Sequence, residues 1–182
     1  MIPDRERVTV LLDQDTIQAR VAELGAEISA KYEGGDLTLV GILKGSVPFM
    51  ADLMRAITVP VQIDFLECSS YEGGTQSTGI VRLVKDLSHS IEGKDVLIVE
   101  DIVDTGLTLT YLRKNFEARG PKSLSIVTLL DKPEGRKPDA AELVVEHVGF
   151  TIPNKFVVGY GLDLAGYFRN IPFVGVYHPP ED

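Results

Sequence analysis

The chain has no tryptophan, one cysteine and three histidines among 182 residues. A lone cysteine, Cys68, rules out an intrachain disulfide and fits a reducing compartment. His89, His147 and His178 are scattered, with no spacing that suggests a metal site or a catalytic triad. Positive charge is scarce too: 18 lysines and arginines face 27 aspartates and glutamates, a net charge of −9. With no basic run, that balance disfavours non-specific binding to nucleic acid or to an anionic membrane. It leaves room for a small anionic substrate, because a local site can oppose the global field. No stretch approaches the roughly 18 apolar residues of a membrane span. The opening MIPDRERVTVLL has neither the length nor the cleavage pattern of a signal peptide. No G-x-x-x-x-G-K-[ST] occurs, which excludes a P-loop, and G-x-G-x-x-G fails at Leu164 within GYGLDLAG. These absences point to a soluble, cytoplasmic, single-domain chain, and its 44% hydrophobic residues suffice for a sizeable core.

Helical and strand periods alternate along the first two-thirds of the chain. Ile17, Val21, Leu24 and Ile28 recur at helical spacing; Asp13 or Asp15 can cap that helix, and Gly34-Gly35 stops it. LTLVGIL, residues 37–43, is an unbroken apolar run of strand length, as expected of a strand buried on both faces in a parallel sheet. Residues 47–57 and 107–119 read as helices. Strands are expected at 61–68, 80–84, 95–101, 124–130, 143–148, 156–160 and 173–177. SSYEGGTQSTG, residues 69–79, is polar and rich in Gly and Ser, so it reads as a surface loop. The pattern predicts an α/β domain: a mostly parallel twisted sheet flanked by helices, with a small appended subdomain. In such sheets ligands lie beyond the carboxyl ends of the strands.

The most informative segment is VLIVEDIVDTGLTL, residues 96–109. A buried strand runs into Glu100-Asp101, and Asp104-Thr105-Gly106 then opens a helix. Small residues at a helix start leave backbone N–H groups free at the positive end of the helix dipole, which makes an anion site. Thr105 and Thr108 add hydroxyls, and Gly106 has no side chain to obstruct a phosphate. Three acids beside such a site imply a further guest: sugar hydroxyls, a metal ion or a protonatable base. Carboxylates accept from a ribose diol and hold Mg²⁺, often through water. The ordinary alternative is a capping Asp104 and a strand end made soluble by Glu100-Asp101. The string as a whole decides between them. VEDIVDTGLTL closely resembles the phosphoribosyl-diphosphate (PRPP) motif of the type I phosphoribosyltransferases.

Other segments resemble the short bacterial hypoxanthine-guanine branch of that family, and the likeness runs from residue 8 to residue 177. LKGS, residues 43–46, is similar to its pyrophosphate loop, which implies pyrophosphate contacts at Lys44 and Gly45 and a cis Leu43–Lys44 peptide. The 69–79 stretch is similar to its flexible catalytic loop, with Ser70-Tyr71 as the Ser-Tyr pair. Residues 155–176 resemble its purine-binding hood. Phe156 then stacks on the base, Val157 offers backbone groups to the base edge, Asp163 is the Mg²⁺-linked acid and Arg169 contacts pyrophosphate. Lys132, in LLDK, matches the lysine that reads the purine 6-oxygen. Taken singly, Lys44, Lys132 and Arg169 are surface charges and Phe156 is core packing.

The resemblance implies a type I phosphoribosyltransferase fold over 1–182, with a core at about 35–140 and a hood built from the N-terminal segment and about 150–182. It implies transfer of the 5-phosphoribosyl group from PRPP to hypoxanthine or guanine. Glu100, Asp101, Asp104, Thr105, Gly106, Leu107 and Thr108 would bind the ribose and its 5′-phosphate, and Asp104 would act as base toward purine nitrogen 7. Mg²⁺ would sit at Glu100, Asp101 and Asp163, in a homodimer or homotetramer that engages neither nucleic acid nor membrane. Leu107 departs from longer relatives that carry Lys there, which implies a looser hold on the 5′-phosphate. Two neighbouring readings are another base (xanthine, adenine or a pyrimidine) and an RNA-binding regulator on the same fold. The Lys132 and Phe156 matches oppose the first, and the acidic charge opposes the second. The acid set Glu100, Asp101, Asp104 and Asp163 opposes a non-enzymatic binding domain. Cys68 reads as a small buried hydrophobe, and Lys85 and Asp86 as surface.

Overall fold

A computed structural model describes residues 3–70 and 81–180. In chain order the elements are β1 (Val8–Leu12), α1 (Gln14–Lys31), β2 (Leu37–Leu43), α2 (Val47–Ala56), β3 (Val61–Ser70), β4 (Val81–Lys85), β5 (Asp95–Val103), α3 (Leu107–Glu117), β6 (Ser123–Asp131), β7 (His147–Thr151), β8 (Val157–Val158) and β9 (Val174–Tyr177). The unbroken apolar runs become the inner strands of a six-stranded sheet ordered β4-β3-β2-β5-β6-β7. Every pairing in it is parallel except β3 with β4. The chain moves outward from β2 to β3 on one side and from β5 to β6 and β7 on the other. The β2/β5 boundary is therefore the point where strand order reverses, and it opens a crevice at the strands' carboxyl ends.

Alternate residues of each inner strand feed two cores. Leu37, Leu39, Leu97, Val99, Val127 and Leu129 pack on one face beneath α1 and α2. Val40, Ile42, Val96, Ile98 and Ile126 pack on the other face beneath Leu109, Leu112 and Phe116 of α3. In α1 it is Asp13 that caps, its Oδ1 accepting from the Thr16 N–H at 2.8 Å. The four apolar residues read at helical spacing in α1 are all buried. A second, antiparallel sheet, β1-β9-β8, forms the hood, so the chain's N-terminal and C-terminal portions meet there.

Two expectations shift and a third falls largely outside the described residues. The strand expected at 143–148 lies instead at His147–Thr151. Leu143 and Val145 are apolar because they cover the α3-side core, while the Val144 carbonyl and the Glu146 carboxylate accept from Arg113 rather than joining a ladder. The strand expected at 95–101 continues to Val103, with Ile102 and Val103 in register with Leu130 and Asp131 of β6. The catalytic loop expected at 69–79 lies, from Tyr71 onward, outside the described residues; Ser70 ends β3. Among the described residues no helix is long and apolar enough to cross a membrane.

Asp52 on α2 ties three parts of the fold together. Its Oδ2 accepts from Gln18 Nε2 of α1 at 2.7 Å and from the Tyr160 hydroxyl of the hood at 2.5 Å, and Arg55 pairs with Oδ1. Burial pushes this carboxyl up, but the Tyr160, Gln18 and Arg55 bonds outweigh it and hold the group below its usual value. Its stabilising effect is therefore full above the unfolded carboxylate value of about 3.9 and fades as pH falls through the lower folded value. Asp52→Asn is expected to lower Tm at neutral pH, with the gap to the parent closing as thermal scans descend to about pH 3. A gap independent of pH would disprove the linkage.

Candidate active site

The crevice at the β2/β5 boundary is built from the ends of parallel strands. β5 delivers Glu100 and Asp101 within the strand and Asp104 just beyond it. The helix that follows, α3, is capped by Gly106 at φ +77°, with no side-chain cap. A Cβ there would meet Ala140 at 2.8 Å, so glycine is required by both conformation and space. The first-turn amides of α3 lack intrahelical partners and point into the crevice with the positive end of the dipole. A cavity of about 240 Å³ opens there, lined by Leu43, Cys68, Glu100, Asp104, Thr105 and Thr108 among others. A second cavity, of about 260 Å³, lies under the hood and is lined by Asp101, Asp104, Lys132, Phe156, Val157 and Asp163 among others. Both hollows share Ile102 and Asp104. Asp104 thus stands at the junction of an anion loop and a pocket with an aromatic wall.

The side chains under the hood suit a planar polar guest. Phe156 is 52% exposed, so this large aromatic is not core. Val157 is buried at the start of β8. Lys132 is only 5% exposed: its backbone N–H donates to the Val103 carbonyl at 2.9 Å, and its ammonium reaches Asp104 Oδ2 at 3.1 Å. The surface reading of Lys132 is therefore wrong for a physical reason: burial beside a carboxylate.

Glu100 and Asp101 crowd the floor. Burial, then the neighbouring Asp101 carboxylate, pushes Glu100 well above the usual range, and burial pushes Asp101 up. The Cys68 thiol, at the same wall, is pushed up to about 11 by burial, then by Glu100 and Glu67. Asp163 does not join this pair. It forms an ion pair with Arg169 at 2.6 Å, and among the described residues no three His, Cys, Asp or Glu side chains converge as a cation site. Asp101 and Asp163 line the same hood cavity, but with Asp163 paired to Arg169 the expected trio Glu100, Asp101 and Asp163 does not converge on one point. Asp163 sits in the hood, where the nearest opposite charge is Arg169. Two carboxylates short of positive charge still fit a divalent cation held mostly by water and substrate oxygens.

The Leu43–Lys44 peptide is cis, as the resemblance implies. Lys44 is exposed and Gly45 buried. A Cβ on Gly45 would collide with the Asp101 carboxylate. Gly45→Ala is expected to weaken PRPP binding at least tenfold while the circular dichroism spectrum stays parental, because the clash falls on the cleft and not on a core. Binding within about twofold of the parent would show that the loop has room to spare.

Several residues of this site were not visible in the sequence. Gly135 lies against Asp104, where a Cβ would approach Oδ1 at 2.5 Å. Lys137 donates its N–H to the Thr105 carbonyl at 3.0 Å. KPEGRK reads as a plain loop, yet it cups the anion loop from behind. Its only sequence signal was a glycine beside Lys132.

A mostly parallel sheet with a hood, an acid-rich loop after β5 and a hood pocket with an aromatic wall are the features set against known proteins. The family model "phosphoribosyl transferase domain" matches residues 8–164, and the chain belongs to that family. Within it, the chain is 50% identical over 170 residues to the hypoxanthine-guanine phosphoribosyltransferase of Bacillus subtilis, covering 93% of both chains. A crystal structure of a hypoxanthine phosphoribosyltransferase from Staphylococcus aureus superposes with a TM-score of 0.90 at 48% identity, covering 96% of this chain and 94% of that one. The bifunctional TilS/HprT protein of Listeria monocytogenes is 48% identical over 170 residues, 93% of this chain. This chain spans only 26% of that protein's length.

Proposed function

We propose that this protein transfers the 5-phosphoribosyl group of PRPP to the 6-oxopurines hypoxanthine and guanine, releasing pyrophosphate and the nucleoside monophosphate. One observation carries the reading: Asp104 walls both the anion-loop cavity and the hood cavity, with Lys132 bonded to it. The reaction needs a base nitrogen and an anomeric carbon to meet at one place, and a proton to leave the purine beside that place.

The barrier is charge separation at the anomeric carbon. The α3 N-terminus with Thr105, Leu107 and Thr108 holds the 5′-phosphate, so that remote binding energy orients the sugar. Glu100 and Asp101 accept from the ribose hydroxyls. Lys44, Gly45 and Arg169 cradle the departing diphosphate, with Arg169 leaving its resting partner Asp163. Phe156 stacks on the purine, and Val157 reads its edge through the backbone. Lys132 donates to the 6-oxygen, which disfavours adenine because its 6-amino group would set donor against donor. Asp104 accepts the proton from nitrogen 7. Mg²⁺ held by Glu100, Asp101 and the substrate would neutralise charge on the leaving diphosphate. Asp163 serves it, in this reading, only after releasing Arg169. The protein works in the cytoplasm as a homodimer or homotetramer, with the purine and PRPP as its only partners.

The test is a spectrophotometric panel of hypoxanthine, guanine, xanthine and adenine with PRPP, each with Mg²⁺ and with excess EDTA. Turnover of hypoxanthine or guanine, lost on chelation and negligible for adenine, is the expected result. Preferred turnover of adenine or xanthine, or full activity in EDTA, would overturn the corresponding part of the reading.

A further inference from the structure

The hood and the Lys44–Gly45 loop touch at one backbone point. Gly161 has φ +101°, and a Cβ on it would collide with the Gly45 carbonyl oxygen. Gly161 also holds Arg169. Gly161 N–H donates to the Arg169 carbonyl at 3.0 Å, and Arg169 Nη1 donates to the Gly161 carbonyl at 2.7 Å. Tyr160, next in line, has φ 47°, a left-handed conformation that a non-glycine residue keeps only when its surroundings hold it. Its hydroxyl bond to Asp52 is one such hold. That bond lies in the wall of a cavity of about 520 Å³ which Arg169 also lines, so packing gives little support on that side. Asp52 is also on α2, the helix that begins two residues after Gly45.

We propose that Asp52 is a positioning residue for the leaving-group subsite: by accepting the Tyr160 hydroxyl it sets the spacing between the Lys44–Gly45 loop and Arg169. Asp52 touches no substrate. It acts through Tyr160 and Gly161, which stand between the two cationic groups assigned to pyrophosphate. The inference rests on that assignment. The hood cavity adjoins this linkage through Leu162 and Asp163, but Lys132 and Phe156, the side chains assigned to the purine, are placed by β6 and β8 and not by α2.

The experiment compares the parent with Tyr160→Phe, which deletes one hydroxyl and keeps the ring in its core. Steady-state kinetics, calorimetry with Mg²⁺-pyrophosphate and thermal scans are run on both. The expected result is a rise of about tenfold in KM for PRPP and in the pyrophosphate dissociation constant, the worth of one hydrogen bond to a charged group. KM for hypoxanthine stays within about twofold, while Tm falls by a few degrees as the Asp52 bond is lost. Asp52→Asn, which keeps the shape and one acceptor, shifts PRPP and pyrophosphate in the same direction by less. Pyrophosphate and PRPP constants within about twofold of the parent in both variants would overturn the proposal. So would parallel losses for PRPP and hypoxanthine that track a fall in Tm, which mark a merely structural bond. Pyrophosphate binding does not depend on which base is used. A parent that ignores hypoxanthine but binds pyrophosphate, with binding weakened by Tyr160→Phe, would sink the proposed reaction and leave this inference standing. A parent that does not bind pyrophosphate would overturn the inference itself.

Discussion

Asp104→Asn is expected to lower kcat with hypoxanthine by about 10²–10⁴-fold, the usual worth of a positioned general acid or base. KM for PRPP should change little. Asparagine keeps the shape of the side chain and removes its capacity to take a proton. The ion pair with Lys132 is lost as well, but the asparagine Oδ1 remains an acceptor for the buried Lys132 ammonium and keeps it partnered. Stability should therefore hold, and a fall in turnover will not be a fall in folded protein. Stopped-flow burst kinetics and equilibrium PRPP binding on the same preparation check this. Equal losses in turnover and in PRPP affinity would reject the acid–base role and recast Asp104 as a binding group.

Lys132→Ala is expected to raise KM for hypoxanthine by about 10–100-fold, the range for a charge-assisted hydrogen bond in a shielded place. It should also narrow the preference for hypoxanthine over adenine. The reason lies in burial. Lys132 is 5% exposed, so its ammonium has few water molecules to turn to, and among the described residues Asp104 is its one ion-pair partner. A 6-oxo group offers it a second acceptor, whereas a 6-amino group faces it with a donor. Without the lysine, that penalty against adenine disappears along with the gain for hypoxanthine. Kinetics with both bases decide the matter; an unchanged ratio would place selectivity elsewhere in the pocket, with the backbone of Val157 as the first suspect.

The elements that carry chemistry were readable because local pattern and local chemistry agree in them. β2 has the bounds that its run suggested, since a strand buried on both faces is nearly continuous in apolar residues and carries no charge. The anion loop was readable because an acid-rich strand end, a glycine and a helix start are neighbours in sequence. The failures have one cause. Residues 143–145 are apolar like a strand, but Leu143 and Val145 pack against α3's core and not within a ladder. The N-terminal segment Val8–Leu12 is short and unremarkable, and it becomes a strand only because β9 pairs with it from the far end of the chain.

The proposed cation site shows the same limit. Glu100 and Asp101 are adjacent in sequence, and their crowding on the cleft floor follows from that adjacency. Asp163 is some sixty residues away in sequence, and whether it faces the cation or Arg169 depends on where the hood rests.

By itself the sequence determined the alternation of strands and helices, the anion loop from Glu100 to Thr108, and the residue types the chemistry needs. Hydrophobic period and helix-start chemistry act over a few residues, so they can be read there. Only the tertiary structure decided that Asp104 stands between two cavities, that Lys132 is buried against it, and that Asp52 reaches the hood through Tyr160. Those facts join residues 28 and 108 positions apart in the chain. What joins them is the parallel sheet, which brings the carboxyl ends of distant strands to one edge, and the hood that closes over it.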